Sequence, residues 1–404
     1  MRIVGVLLVV LLVVVVESLT FRRSMLSRTS NPSDTSFATA SDTTTNVAEP
    51  KHQRRVRYKG SYPKKYSEKY KELQEDVAVV EKVKAKGSTP AGQHVPIMVS
   101  ECLEYLALSK VDDIKQNIIA LDCTLGYGGH TTAILQQIKG KNGTLYALDQ
   151  DIEALEKTTA RINENFNGSF NSFHINFKDV LEVGRQESIL GKVDALLADL
   201  GYSSMQIDNP ERGFSYKHEA ALDMRMDNNK NPTTAQTWLA TVTKKNFTEA
   251  LKLNADFDDS TAVLLSQGIV SSKETINTTT ALASKVREII SLQAKSNRLP
   301  VPVKAEIDSI VARVMQTIRI EVNDEFGSLK SLLASIPQIL GSGGRTVVLT
   351  FHSGEDRLVK KSFKEGYKSG LYKQWGREVV LSSSDERRIN PRSKCCKLRW
   401  AVKA

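Results

Sequence analysis

Cysteine is scarce in this chain. Four are present in 404 residues: Cys395 and Cys396 are adjacent, while Cys102 and Cys123 lie far off. They supply neither a framework of spaced pairs nor a metal-ligand spacing, which argues against a disulfide-stapled secreted domain and a structural zinc site. A membrane-length apolar run is missing too, because the stretch from Val4 to Val16 is too short to span a bilayer comfortably. The third glycine of the dinucleotide fingerprint is absent. Counted from Gly126, the sixth position is Thr131, which weakens a dehydrogenase reading. Excess charge is missing from the bulk of the chain. Residues 1–88 hold 16 Lys/Arg against 9 Asp/Glu, so they account for +7 of the formal +10 and leave only about +3 for residues 89–404. A basic total is therefore no evidence that the folded part binds nucleic acid.

What is present, 40% hydrophobic and 25% charged residues, describes a globular protein with a sizeable core and room for more than one domain. The amino terminus stands apart from it. Arg2, the apolar run and the small residues Ser18-Leu19-Thr20 read as a signal peptide over 1–20. Residues 21–50 are crowded with Ser and Thr and poor in acids, like an organelle transit peptide. A signal peptide followed by a transit-like stretch resembles the two-part address of plastids enclosed by extra membranes. A mitochondrion or simple secretion is the alternative. Residues 51–88 are Lys/Arg-rich with Tyr58, Tyr62, Tyr66 and Tyr70 interleaved; this composition suits RNA contact but fits a solvated linker better.

The domain proper is expected from Thr89, with helical spacing after His94-Val95-Pro96. Its organising stretch is Asp122-Cys123-Thr124-Leu125-Gly126-Tyr127-Gly128-Gly129-His130, between the apolar run Ile118–Leu121 and the helical Thr131–Leu135. Strand, glycine-rich turn and helix make the entrance of a nucleotide-type pocket, where the backbone must approach a ligand closely. Asp149 closes the next strand, 144–148, and a carboxylate there can accept both ribose hydroxyls, in NAD and S-adenosylmethionine sites alike. A helix is expected over 151–165 and a strand over 169–175. Phe177 follows, suited either to an adenine face or to the core. The strand 193–198 delivers Asp199-Leu200-Gly201-Tyr202-Ser203-Ser204 to the carboxyl edge of the sheet, which makes Asp199 the foremost candidate for chemistry; the competing account is a strand-end aspartate capping its turn.

A long charge-rich loop follows, holding Gln206, Arg212-Gly213-Phe214-Ser215 and Leu222-Asp223-Met224-Arg225-Met226. Residues 233–318 then read as an inserted helical domain on the substrate side, splitting the sheet domain into 89–232 and 319–404. After a turn at Gly341-Ser342-Gly343-Gly344, the strand 346–351 brings His352-Ser353-Gly354-Glu355-Asp356-Arg357 to the same edge. His, Glu and Asp together suggest a metal, but they adjoin a helix start, where acids are stabilised in any case, so no metal is assigned. Strands are also expected at 378–381 and 397–402.

These motifs, with Arg319-Ile320-Glu321-Val322-Asn323, Asn390-Pro391-Arg392-Ser393 and Lys397-Leu398-Arg399, resemble one family from His94 to the last residues. It is the bacterial-type methyltransferase, called MraW or RsmH, that modifies the N4 amine of a cytidine in small-subunit ribosomal RNA. The resemblance implies a Rossmann-like class I methyltransferase α/β sheet with an inserted small helical domain, and S-adenosyl-L-methionine as donor. Carried over by position, the donor contacts fall on Gly128, Gly129, His130, Asp149, Phe177, Asp199 and Gln206. Departures from the family pattern are Met205 for a proline, Gly354 for a leucine, Asn254–Asp259 for a tyrosine-glycine-acidic segment and Cys395-Cys396 for a serine-alanine pair.

The expected chemistry has Asp199, with Ser203 and Ser204 nearby, orient the cytosine amine or the adjoining donor, and Asn323 and His352 shape the cytosine pocket. Arg225, Arg313, Arg319 and Arg357 are the candidate phosphate contacts, each also able to serve as an ion-pair partner. The implied partner is small-subunit ribosomal RNA or the small subunit itself. A homodimer is left open, and no stable membrane association is expected once the leader is removed. A non-catalytic RNA-binding assembly factor and, less favoured, an NAD-dependent oxidoreductase are the other classes in view.

Overall fold

Apolar residues alternate along the strands and recur at helical spacing between them, and the chain folds accordingly. It enters through α1 (Val99–Leu106), then forms β1 (Ile119–Asp122), α2 (Gly129–Ile138), β2 (Thr144–Asp149), α3 (Ile152–Phe166), β3 (Phe170–His174), α4 (Val180–Gln186) and β4 (Val193–Asp199). The helices α5 (Ala235–Thr241), α6 (Lys244–Ala255), α7 (Asp259–Val270), α8 (Thr279–Ser296) and α9 (Lys304–Asn323) intervene. The sheet is completed by α10 (Glu325–Ile339), β5 (Leu340–Thr350), α11 (Ser353–Lys368), β6 (Tyr372–Trp375), β7 (Val380–Leu381), α12 (Ser384–Ile389) and β8 (Lys397–Lys403). This computed structural model describes residues 96–108, 117–203, 206–207 and 209–404. The expected signal peptide, transit-like stretch and linker, the domain start at Thr89 with His94, and Ser204, Met205 and Asp208 lie outside the described residues.

The strand order is β3-β2-β1-β4-β5-β8-β6, with β7 also on β8. The first five are mutually parallel, and β8 runs antiparallel to its neighbours. Successive residues face opposite sides. Ala120, Leu197 and Val347 join α1, α2 and α3 in one core, while Leu121, Leu196 and Val348 join α4, α10 and α11 in the other. From β1 the chain winds outward to β2 and β3, then returns to lay β4 on the other flank of β1. That reversal opens a crevice at the carboxyl ends of β1 and β4, where doubly wound sheets take ligands.

The helices between β4 and β5 have a core of their own, including Leu239, Phe247, Leu265, Val286, Val311 and Ile318. Its limits differ from those expected at 233 and 318. Phe214, Leu222, Met224 and Met226 are buried in it, Met224 with a left-handed backbone at φ 61°. At the far end α9 runs on through Asn323 as one continuous helix. Other departures are local. The helix α6 was not foreseen in the sequence, nor was the edge strand β6. The expected turn at 341–344 is instead a bulged start of β5: Val193 pairs with Leu340, but Ala195 pairs with Arg345. Among the described residues no helix is long and apolar enough to cross a membrane.

Candidate functional site

The strand ends are tied together before any ligand is considered. Asp122, fully buried at the end of β1, accepts the Thr124 amide at 3.0 Å and the Thr131 hydroxyl at 2.6 Å, so it grips both sides of the glycine turn. Thr124 Oγ1 accepts the Asp199 amide at 2.7 Å, linking the turn to β4, and the Gly126 amide donates to Asp149 Oδ2 at 2.7 Å, linking it to β2. Gly128 has φ +67°, and a Cβ there would lie 2.7 Å from Ile162 Cδ1 and 2.8 Å from Thr158 Cγ2. Gly128→Ala is therefore expected to displace the turn, lowering stability by about 1–3 kcal/mol and weakening donor affinity about tenfold. Thermal unfolding and calorimetric titration with S-adenosylmethionine check both effects.

A cavity of about 420 Å³ opens over these ends. Asp149, Asp151, Asp199 and Glu355 line it, together with His130, His352, Arg319 and the apolar Ile175, Phe177, Leu200 and Met226. Asp149 Oδ1 also accepts the Asp151 amide at 2.8 Å. Burial pushes the Asp149 carboxyl up to about 6, although the Asp151 and Gly126 amides pull the other way. Each of its oxygens keeps a second lone pair for a hydroxyl.

Asp199 is differently placed. Its Oδ1 is covered by protein and has no hydrogen-bond partner, while the side chain as a whole keeps 28% of its surface open. Oδ2 lies 3.6 Å from His130 Nδ1. His130 Nε2 is 2.9 Å from the Ile97 carbonyl, which only accepts, so Nε2 carries a proton. Burial raises the Asp199 carboxyl to about 6; His130 opposes the rise, and Asp122 and Glu355 add to it.

A buried clamp closes one wall. Arg212 donates to Asp151 Oδ2 at 2.9 Å and to the Arg225 and Met226 carbonyls at 3.1 and 2.9 Å. Gln206 Nε2 donates to the same Asp151 oxygen at 2.8 Å, and Gln206 Oε1 accepts the Ser203 amide at 2.9 Å. Asp151 also caps α3. The sequence reading missed this Asp151–Arg212 pair. Its signals were an acid just before a helix and an arginine inside a loop motif.

The opposite wall is built on α11 and α9. Glu355 accepts the Phe351 amide at 2.8 Å. Burial raises its carboxyl, but the His352 ring, the Phe351 amide and Arg319 together hold it below the usual value. His352 Nε2 is 3.1 Å from Glu355 Oε1, yet neither ring nitrogen makes a well-directed hydrogen bond. A Cβ at Gly354 would sit 2.5 Å from Phe326 Cζ; the glycine that departs from the family pattern lets Phe326 lie against His352. Asp356 turns away to Arg399 and Lys397. Among the described residues no group of three or more His, Cys, Asp or Glu side chains is arranged to hold a metal.

Of the expected site residues, Gly129, His130, Asp149, Phe177, Asp199, Ser203, Gln206, Arg319 and His352 line this cavity, and Gly128 stands just behind it in the turn. Ser204 is outside the described residues. The other four substrate candidates do not line it and are held by partners within the protein, though Asn323 lines a small neighbouring cavity with Phe177, Leu200 and Met226. Arg225 is paired with Asp223 at 2.8 Å and donates to the Asn231 carbonyl. Arg313 holds the Ala255 carbonyl and stacks on Phe257, 3.8 Å from its centroid. Arg357 is paired at the surface with Asp256, 2.9 Å away. Asn323 bridges Met224 and Met226 as a structural link. Arg319 does reach the cavity, but its guanidinium is bound to Glu325 at 2.7 Å and lies 4.1 Å over Tyr202.

The residues fit an adenosyl sulfonium. Asp149 suits ribose hydroxyls, Ile175 and Phe177 offer an apolar wall, and the unmatched Asp199 carboxylate leaves negative potential where a cation is wanted. The model of the MraW methylase family matches residues 91–404. "Ribosomal RNA small subunit methyltransferase H 2" of Alkaliphilus metalliredigens is 42% identical, over 88% of this chain and 99% of its own length. "Ribosomal RNA small subunit methyltransferase H 1" of Lachnoclostridium phytofermentans is 40% identical, over 88% and 94%. Among solved structures, an rRNA methylase from Streptococcus thermophilus aligns over 77% of this chain and 99% of its own, with a TM-score of 0.35 and 10% identity. The fold is the Rossmann-like class I methyltransferase sheet with an inserted small helical domain. Because the matched stretch takes in the whole sheet, its insertion and every wall of the cavity, the chain belongs to the MraW methylase family.

Proposed function

We propose that this protein transfers a methyl group from S-adenosylmethionine to the N4 amine of a cytidine in small-subunit ribosomal RNA, inside an organelle. The observation that carries this reading is the Asp199 carboxylate. It stands at the end of β4 beside the glycine turn, with Oδ1 unmatched and the side chain open to the cavity. The relatives' names, which specify small-subunit ribosomal RNA, support the substrate class.

When bound, the donor supplies an electrophilic methyl on a positively charged sulfur. The residues supply position. An exocyclic cytosine amine is a poor nucleophile, because its lone pair is delocalised into the ring. Asp199 accepts a hydrogen bond from that amine, which favours a pyramidal nitrogen and aims its lone pair at the methyl. The N–C bond forms as the S–C bond breaks, the sulfur keeps the electron pair, and the nitrogen's surplus proton leaves to Asp199. A carboxyl titrating near 6 can take that proton and release it to water. The His130 ring, 3.6 Å from Oδ2, backs the carboxylate, and the partly exposed Tyr202, packed on the Arg319 guanidinium and on Phe214, stands at the rim where an extruded base would enter.

The test is incubation of the mature protein with labelled donor and small subunits lacking the modification, followed by nucleoside mass spectrometry. The expected product is N4-methylcytidine at one site. Binding of RNA without turnover would instead identify an assembly factor, and label on another base would remove the cytosine assignment. The organellar setting rests on residues 1–50. A reporter carrying residues 1–88 is expected to enter the plastid, and retention in the secretory pathway would overturn that part.

A further inference from the structure

The arginines that the sequence offers for phosphates are bonded within the protein, which leaves unpaired cations as the groups most free to hold an RNA strand. α11 begins at the cavity, where His352 and Glu355 form part of the wall, and runs away from it for 16 residues, about 24 Å at ~1.5 Å per residue. Its inner face is closed: Glu355, Asp356, Val359, Phe363 and Gly366 are buried. At 3.6 residues per turn, Lys360, Lys361, Lys364, Tyr367 and Lys368 fall outside that face, within an arc of about 120°. All five are exposed, Tyr367 at 42%. Among the described residues none of the four lysines has an ion-pair partner, although Glu365 lies on the same helix. The two acids of the first turn face inward and are engaged by His352, Arg399 and Lys397, so they do not offset these charges. Residues 89–404 carry only about +3 in all, so four unpaired lysines on one helix face are a concentration of charge beyond a uniformly solvated surface.

We propose that the outer face of α11 is the track for the single-stranded ribosomal RNA flanking the target nucleotide, with Lys360, Lys361, Lys364 and Lys368 at its phosphates and Tyr367 against a base. The occupant follows from the chemistry. A row of ammonium groups fits a polyanion, and an exposed aromatic ring among them fits unstacked bases, which a duplex does not offer. Continuity with the cavity gives the strand its direction, leading from the extruded nucleotide along the helix. The track rests on the RNA methyltransferase reading and extends it to the flanking strand.

The experiment uses the mature chain and reads binding separately from turnover. The variant K360Q/K361Q/K364Q/K368Q is compared with wild type on unmodified small subunits and on protein-free small-subunit RNA, over a range of salt. Donor affinity and kcat are expected to be unchanged, KM to rise at least about tenfold, and the slope of log affinity against log salt to fall by about 3. Tyr367→Ala is expected to raise KM roughly fivefold with its salt slope intact. The control K139Q/K141Q/K192Q removes charge ahead of β2 and β4, at the opposite edge of the parallel strands, and leaves KM where it was. Equal KM and slope for wild type and the quadruple variant would overturn the track. So would a loss confined to intact subunits while both proteins bind free RNA alike, since the ridge would then meet a ribosomal protein. Salt-dependent binding that the quadruple variant loses, in a wild type that transfers no methyl, would support the track while removing the proposed reaction.

Discussion

Asp199→Ala abolishes methyl transfer, with a fall in kcat of at least about 10³ expected, while the fold survives. The residue acts through charge and position: its carboxylate has little compensation inside the protein, with Oδ1 buried and without a partner, and the open part of the side chain is what meets the amine. Asp199→Asn keeps the shape and one acceptor but not the negative charge or the proton sink, and a loss of about 10² is expected. In the wild type the rate should rise with pH through about 6, as the carboxylate forms.

Stability should move the other way. The folded-state pKa is raised from 3.8 to about 6, so between those values the folded protein holds more protons than the unfolded chain, and stability falls as pH rises through that window. Removing the buried charge should therefore stabilise the inactive Asn variant at pH 8, by at most roughly 3 kcal/mol, with the gain vanishing below pH 3.8. Unfolding melts at pH 4, 6 and 8 with parallel single-turnover assays decide the matter. An Asn variant that turns over like wild type, or one that melts below wild type at pH 8, would remove Asp199 from the role given to it.

Arg212→Met has the largest expected effect on the folded state, a loss of about 3–5 kcal/mol. The residue is 7% exposed, and its removal leaves the Asp151 carboxylate buried with only Gln206 and the Ala154 amide, and frees two carbonyls in the loop that enters the helical insertion. Because Asp151 and Gln206 both line the cavity, donor affinity should fall along with the denaturation midpoint. The double variant Asp151→Asn with Arg212→Met should recover part of the stability, since the orphaned charge is then gone. If the single variant melts like wild type, the clamp is not what holds this wall.

The strands and the glycine turn were legible because their signals are local. The apolar run before Asp122, the glycines after it and the helical spacing beyond are contiguous, and each strand-end acid follows its own run. Parallel strands linked by helices then leave little freedom about which edge Asp149 and Asp199 share. The insertion was legible in type but not in extent. The alternation Leu222, Met224, Met226 looks like a loop motif until there is a core for it to enter, and α9 shows no cap or break at 318 to mark a limit.

The arginines show where reading along the chain fails. Arg357 meets Asp256, 101 residues away, and Arg212 meets Asp151, 61 away. A guanidinium bound for phosphate and one bound for an internal carboxylate look the same in one dimension, because the choice depends on which acid folding brings within about 3 Å. The sequence by itself determined the layers, the sheet edge that carries the ligand and the acids at the strand ends, since these follow from periodicity and handed connections between neighbouring segments. Only the tertiary structure decided that Arg225, Arg313 and Arg357 are fasteners, that Arg212 holds a wall of the site, and that the unpaired cations form a ridge on α11. Ion pairing and burial are set by groups far apart along the chain, and their energies depend on desolvation that exists only once the core has closed.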